Sequence, residues 1–317
     1  QLSYNGEIYN FREIRSELVK LGYRFRSQSD TEVVLNSYIE WGENCVRRFN
    51  GMFAFAIWDR KNESLFIARD RYGIKPLYYT FSGNSFIFSS EQKSLLEYPG
   101  VKREIDLETL PEYFTFQNIL TSRTLLKGIS LFPAGHYSKL ESDKRYTDLN
   151  AVQYWDYDFN EDSEIVSENE YLEELDRLFK QAVNRQLVSD VELGAYLSGG
   201  LDSGSITAVA AQELPYIKSF TCGFDLSSAS GLELTYDERK KSEFMSYLFK
   251  TEHYEMVLKA GDMERAIPNL TWHLEEPRVG QSYPNYYAAQ LASKFVKVVL
   301  SGTGGDEIFG GYPWRYY

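Results

Sequence analysis

The 317-residue sequence carries 34 Lys and Arg against 46 Asp and Glu, a net charge of −12, with 43% hydrophobic and 25% charged residues. That length allows two domains with sizeable cores, and the acidic balance lacks the basic footprint of a nucleic-acid binder, so no nucleic-acid partner is expected. The longest apolar run, Met52 to Trp58, is far too short to cross a bilayer, and two cysteines, Cys45 and Cys222, give neither a disulfide framework nor metal-ligand spacing. No membrane partner and a reduced cytoplasmic setting are therefore expected.

The chain begins QLSYNGE, without Met or a charged-then-apolar signal, and ends at Tyr317 just after a glycine loop, so a fragment cut at both ends is expected. Phe11, Ile14, Leu18 and Leu21 recur on one helical face, with Asn10 and Glu13 placed to cap its start and Gly22 to end it. Ser29 and Glu32 form a second capping pattern ahead of Val34, Tyr38 and Trp41. Met52 to Trp58, Ser64 to Ala68, Leu77 to Phe81 and Ser85 to Ser89 read as strands, with turns at Gly73, Gly83 and Gly100. Strands with intercalated helices predict an α+β layered domain over residues 1–158.

An acidic stretch from Tyr157 to Ser167 reads as a linker into a second domain, 159–317. Ser167 and Glu170 open a long amphipathic helix with Leu172, Leu175, Phe179, Ala182 and Val183 on its buried side. Apolar runs at Leu193–Leu197, Ile217–Gly223, His253–Leu258 and Val296–Leu300 then alternate with helical segments, which predicts an α/β fold on a mainly parallel sheet. His136, His253 and His273 stand apart without ligand spacing and read as structural.

Two glycine turns follow buried-strand patterns in this half. The first, Ser198, Gly199, Gly200, Leu201, Asp202, Ser203, precedes a helical segment from Ser205 to Glu213, which is phosphate-binding syntax: glycines turn backbone N–H groups inward and the helix start adds unpaired donors. No lysine follows as in a γ-phosphate-transferring P-loop. A carboxylate ~4 Å from a phosphate is repelled by about 4 kcal/mol at an effective dielectric of ~20, more than the ~2 kcal/mol a helix terminus returns. If Asp202 faces phosphates, magnesium must lie between; otherwise Asp202 or Ser203 caps the helix. The second turn, Ser301, Gly302, Thr303, Gly304, Gly305, Asp306, Glu307, again sets a carboxylate after glycines, and two such loops at adjacent strand ends would grip one nucleotide from both sides.

SGGLDS and SGTGGDEIFGGY resemble the PP-loop ATP pyrophosphatases, and among them the glutamine-hydrolysing asparagine synthetase (AsnB-like) family. The resemblance runs over essentially the whole chain, because YNGEIYN at Tyr4 to Asn10, SDTE at Ser29 to Glu32, NGMFAFAIWD at Asn50 to Asp59 and RDRYGIKPLYY at Arg69 to Tyr79 are similar to its N-terminal-nucleophile (Ntn) glutaminase domain. It implies an Ntn-hydrolase-type domain ahead of an adenine nucleotide α-hydrolase-like domain. It also implies ATP and Mg2+ as cofactors, glutamine with aspartate or another carboxylate as substrates, and a homodimer.

Residue by residue, the resemblance implies that Asn5 and Gly6 form an oxyanion hole, where losing one donor typically costs ~3 to 4 kcal/mol. Glutamine would be held by Asn5, Gly6, Glu7 and Asp30, with Asp30 on the α-amino group. Leu197, Ser198, Gly199, Gly200, Asp202, Ser203, Cys222, Ser301 and Gly302 would contact ATP, and Asp202 and Asp306 would share magnesium. Taken singly, Asn5 and Gly6 also make a good turn and Asp30 a capping box; the RDRYGIKPLYY region reads mainly as scaffold. The nucleophile of this class is a cysteine at the chain's first residue; Gln1 stands here, and Cys45 lies in a packed segment, so this stretch alone is expected not to hydrolyse glutamine.

Thr303 occupies the position of a family glutamate proposed to assist ammonia attack, and a threonine hydroxyl has no comparable basicity. Nor does Glu275 to Ser282 reproduce the pattern associated with aspartate recognition, though Arg278 is suited to bind a carboxylate. The expected reaction is glutamine-dependent asparagine synthesis. The alternatives are the same chemistry on another carboxylate, or a glutaminase with a regulatory nucleotide-binding domain.

Overall fold

The computed structural model describes residues 1–159, 167–225, 227, 237–277 and 282–312. The chain divides into two compact units, Gln1–Asp162 with Glu275–Arg278, and Ser163–Leu274 with Val279–Tyr317. Most of the acidic linker stretch and Arg278 lie outside the described residues.

The first unit holds β1 (Leu2–Ile8), α1 (Phe11–Lys20), α2 (Asp30–Trp41), α3 (Cys45–Arg48), β2 (Gly51–Asp59), β3 (Ser64–Arg69), β4 (Tyr78–Ser82), β5 (Ser85–Ser89), α4 (Gln92–Leu95), α5 (Leu110–Phe116), β6 (Ser130–Leu131), β7 (His136–Glu141) and β8 (Val152–Gln153). Its larger sheet runs β1-β2-β3-β7-β8 and its smaller sheet β5-β4-β6, all antiparallel. Strand β2 explains the layering. Its side chains alternate with period two, so Phe53, Phe55 and Ile57 join the helix-side core with Ile14, Leu18, Val33 and Val34, while Ala54 and Ala56 face Leu77, Tyr79 and Phe132 on the smaller sheet's side. Buried on both faces, β2 reads as an unbroken apolar run, large toward the helices and small toward the second sheet.

The second unit holds α6 (Glu168–Gln186), β9 (Leu193–Tyr196), α7 (Leu201–Glu213), β10 (Lys218–Phe224), α8 (Arg239–Phe249), β11 (Glu252–Leu258), α9 (Asp262–Leu274), α10 (Ser282–Ala292), β12 (Val298–Leu300) and α11 (Gly305–Phe309). Its sheet is parallel in the order β11-β10-β9-β12. The chain leaves β9 toward β10 and later returns on the other side as β12, so the strand order reverses at β9, the place where open α/β sheets bind ligands. The α+β layering and the parallel α/β sheet are both as the sequence predicts.

Several local expectations differ. Asn10 does not cap α1 with its side chain; it spans to the α3 end, donating to Arg48 O at 2.9 Å and accepting from Asn50 N at 2.9 Å. Glu32 does not close a capping box on Ser29 but accepts Arg26 N and Ser27 N, while Ser29 accepts from Thr31 N. The Ser167 and Glu170 box does form. On α6 only Val183 is buried, with Leu172 and Leu175 exposed, because the core beside Val183 takes up only the helix's last turns.

Candidate functional site

Strand β1 is an edge strand, and its register decides which backbone groups face outward. Gly6 lies opposite Phe53, whose own N–H and C=O are turned to Asp70: Phe53 N donates to Asp70 Oδ2 at 3.1 Å and Asp70 N donates to Phe53 O at 2.8 Å. Opposed residues in an antiparallel pair either exchange both bonds or neither. Gly6 therefore directs its N–H away from β2, along the same open edge on which Ile8 N donates to Asp30 Oδ2 at 3.0 Å. A side chain at Gly6 would collide with Met52 O and lie 2.7 Å from Phe53 Cα, so the close approach of β1 to β2 requires glycine.

Asn5 extends from the opposite face, exposed, and donates to Ser90 Oγ at 3.2 Å. Glu7 is exposed on that same face. Asp30 is the first residue of α2, half-buried, and its Oδ2 also accepts the Tyr4 hydroxyl at 2.6 Å. Asp30 thus meets the Gly6 edge through Ile8, while Asn5 reaches toward β5. Cys45 is fully buried, and burial pushes its thiol up to about 12.

Arg69 and Asp70 hold the following loop from two sides. Arg69 donates to Gly73 O, Lys75 O and Phe132 O, and Asp70 accepts Tyr72 N, Ile74 N and Lys75 N besides Phe53 N. Both side chains are buried and are spent on backbone, which makes this region scaffold.

In the second unit the SGGLDS turn starts α7 four residues earlier than periodicity predicts, at Leu201, with Gly200 as N-cap and no side-chain cap. Asp202 and Ser203 therefore sit in the first helical turn and neither caps it. Ser203 instead braces the loop: its Oγ accepts Ser198 N at 3.1 Å and lies 3.0 Å from Ser198 Oγ. Leu197 is buried, and its N–H donates to Phe220 O at 2.9 Å, which anchors the loop root in the sheet. Gly199 has φ +79°, and a Cβ there would lie 2.6 Å from Lys241 Cβ and 3.2 Å from Glu238 O.

The second loop leaves β12, which pairs with β9, so the two glycine turns stand at the carboxyl ends of adjacent strands. They touch through Asp202. A Cβ on Gly302 would lie 2.8 Å from Ser203 N and 2.9 Å from Asp202 Cβ, and one on Gly305 would fall on the Asp202 carboxylate, 2.8 Å from Oδ1 and closer to Oδ2. Thr303 Oγ1 lies 2.8 Å from Ser301 Oγ. Asp306 follows Gly305 directly, and its Oδ1 is packed against Gly311. Cys222 lies on β10 with Sγ 3.5 Å from Pro284 O, and burial pushes its thiol up to about 12.

Hydrophobic periodicity does not place α8 at this site. Its first turn packs on Gly199, and burial raises the half-buried Glu238 carboxyl, against the pull of Lys241 and the Ser198 hydroxyl. The sole signal was Gly199 itself, whose missing side chain is what lets another element approach.

A family model described as a glutamine amidotransferase domain matches residues 1–155, and one described as asparagine synthase matches 174–317. The chain is 38% identical to "Asparagine synthetase [glutamine-hydrolyzing] 3" of Bacillus subtilis over 98% of its length and 51% of that protein. It is 37% identical to "Putative asparagine synthetase [glutamine-hydrolyzing] 2" of Methanocaldococcus jannaschii, covering 98% of the chain and 58% of that protein. It is 35% identical to "Asparagine synthetase [glutamine-hydrolyzing] 1" of Bacillus subtilis, covering 98% and 47%. The chain spans about half the length of these curated relatives. Two matched domains in this order, on two units whose glycine loops and edge strand carry the matching motifs, place the chain in the family of glutamine-hydrolysing asparagine synthetases.

Proposed function

We propose that the protein makes asparagine from aspartate, ATP and glutamine, with its first unit releasing ammonia and its second activating the acceptor carboxylate. The observation that carries this reading is the seating of Asp202 on Gly305, which brings two glycine loops into contact at the strand-order reversal. On this reading Gly6 N–H and the Asn5 amide stabilise the oxyanion formed when the glutamine amide is attacked. Asp30 binds the α-amino group, and Glu7 lines the site from the Asn5 face. Cys45 is not the attacking group, since a fully buried thiol with a raised pKa is neither accessible nor ionised near neutrality.

In the second unit, Leu197, Ser198, Gly199, Gly200, Ser203, Ser301 and Gly302 hold ATP, with Cys222 contributing at the adenine through its backbone. The acceptor carboxylate attacks the α phosphorus, a P–O bond forms, and pyrophosphate leaves. Ammonia then attacks the acyl carbon of the adenylate, AMP departs with the bonding pair, and nitrogen loses a proton.

No three acidic, His or Cys side chains among the described residues make a metal site by themselves. On this reading Asp202 and Asp306 would hold magnesium, which takes one or two carboxylates and completes its shell with phosphate oxygens and water. When bound, the ion would neutralise charge on the leaving pyrophosphate. A second acceptor, another carboxylate, is favoured by Thr303, whose hydroxyl is paired with Ser301 where the family glutamate would stand. Both cysteines are free thiols, which accords with a cytoplasmic setting; assembly as a homodimer is part of the proposal and is checked by sedimentation.

The test is ATP and pyrophosphate exchange by the full-length protein, screened over aspartate and other carboxylates. Exchange that depends on aspartate is expected. Release of ADP and phosphate in place of AMP and pyrophosphate would end the reading.

A further inference from the structure

Asp30 carries a second feature that its binding role does not account for. Tyr4, two residues before Gly6 on β1, points its ring into the helix-side core and its hydroxyl back to Asp30 Oδ2 at 2.6 Å. Ile8 N donates to that same oxygen at 3.0 Å. Among the described residues Oδ1 has only Ser29 Oγ at 3.4 Å and Thr31 Oγ1 at 3.5 Å, both long, and Ser29 Oγ also accepts from Thr31 N.

The two carboxylate oxygens are thus unlike. One is saturated by two short bonds from a rigid strand, and the other keeps its strong acceptor capacity at the rim of the half-buried α2 start. A carboxylate held by a single backbone donor would turn about its terminal torsion, which is broad. Two donors four residues apart on one strand remove that freedom. The tyrosine is suited to the task because its packed ring loses little further freedom, and a phenol donates a hydrogen bond to the carboxylate without placing a competing charge beside the substrate ammonium. Burial, then the Asp30 bond, raise the Tyr4 hydroxyl pKa far above its ordinary value, so it remains a donor throughout the working range.

We propose that Tyr4 is a positioning residue of the glutamine site, fixing Asp30 so that its outer oxygen meets the α-ammonium group and sets the preference for α-amino acid amides. This rests on the glutaminase reading of the first unit and goes beyond it by naming what enforces selectivity.

The experiment compares glutamine with glutaramate, which is glutamine without its α-amino group, as substrates of the full-length protein and of Tyr4→Phe, Asp30→Ala and the double variant. Phenylalanine keeps the packed ring. Tyr4→Phe is expected to cut the kcat/KM preference for glutamine about tenfold, the equivalent of roughly 1.4 kcal/mol. The change should come through KM, with kcat within about twofold and glutaramate turnover unaltered; in the Asp30→Ala background it should have no further effect. Loss of preference in Asp30→Ala but not in Tyr4→Phe overturns the Tyr4 assignment alone. An equal fall for both substrates in Tyr4→Phe shows structural damage and overturns it too. No change in either single variant takes Asp30 off the α-amino group and overturns this inference while the glutaminase reading stands; no glutamine hydrolysis by the unmodified protein removes both.

Discussion

Replacing Gly305 by alanine separates the site's chemistry from its stability. The new methyl would fall on the Asp202 carboxylate, the far end of a side chain with free torsions, so the carboxylate swings aside at a cost of about 0.5–1.5 kcal/mol. Moving that group from ~4 to ~6 Å from a divalent ion at an effective dielectric of ~20 forfeits about 3 kcal/mol, a roughly hundredfold loss. Gly302→Ala is the contrast, since its methyl meets Ser203 N at 2.8 Å and Asp202 C at 3.1 Å, which are backbone atoms that cannot step aside. Overpacking of that kind costs about 1–3 kcal/mol in stability. Urea denaturation and magnesium-dependent binding of ATP, followed by calorimetry, read the two effects apart. Gly305→Ala should unfold nearly as the parent does while losing magnesium-dependent affinity, and Gly302→Ala should lose both. Full magnesium-dependent affinity in Gly305→Ala would refute the role given to Asp202.

Asp70→Asn leaves one acceptor oxygen for four N–H donors, one buried and three partly buried, and should lower the stability of the first unit by about 3 kcal/mol, measured by chemical denaturation. His253 is held neutral by burial, its pKa lowered from 6.5. The unfolded chain therefore takes up the proton first, so stability should fall as pH drops below about 6.5, and His253→Gln should flatten that slope in a pH series of unfolding midpoints. Cys45 and Cys222, both pushed up to about 12, should resist a thiol reagent at pH 8 in the folded protein and react on unfolding. Rapid native-state labelling of either would contradict the burial argument.

Much of this was legible because period and punctuation agree. The two-sided run Met52 to Trp58, the glycine turns and the strand-helix alternation each have a local cause, and the corresponding strands form. Asn10 and Glu32 misled because a capping pattern states only that a side chain can bond nearby N–H groups, and here other N–H groups lay within reach. The exposed face of α6 misled for a different reason: amphipathicity shows which side seeks cover, not how far the cover extends. Contact of α8 with Gly199 joins segments some forty positions apart, and no periodicity encodes such a meeting. Tyr4 reads as an ordinary strand aromatic until Asp30 is found opposite its hydroxyl.

Arg69 and Asp70 make seven hydrogen bonds to main-chain atoms around residues 72–75 and their neighbours. Such bonding is blind to side-chain identity. Ile74, displayed outward, can accordingly be exchanged without redrawing the path of the chain, whereas Tyr72 beside it also sets its ring against Trp155 and Tyr157.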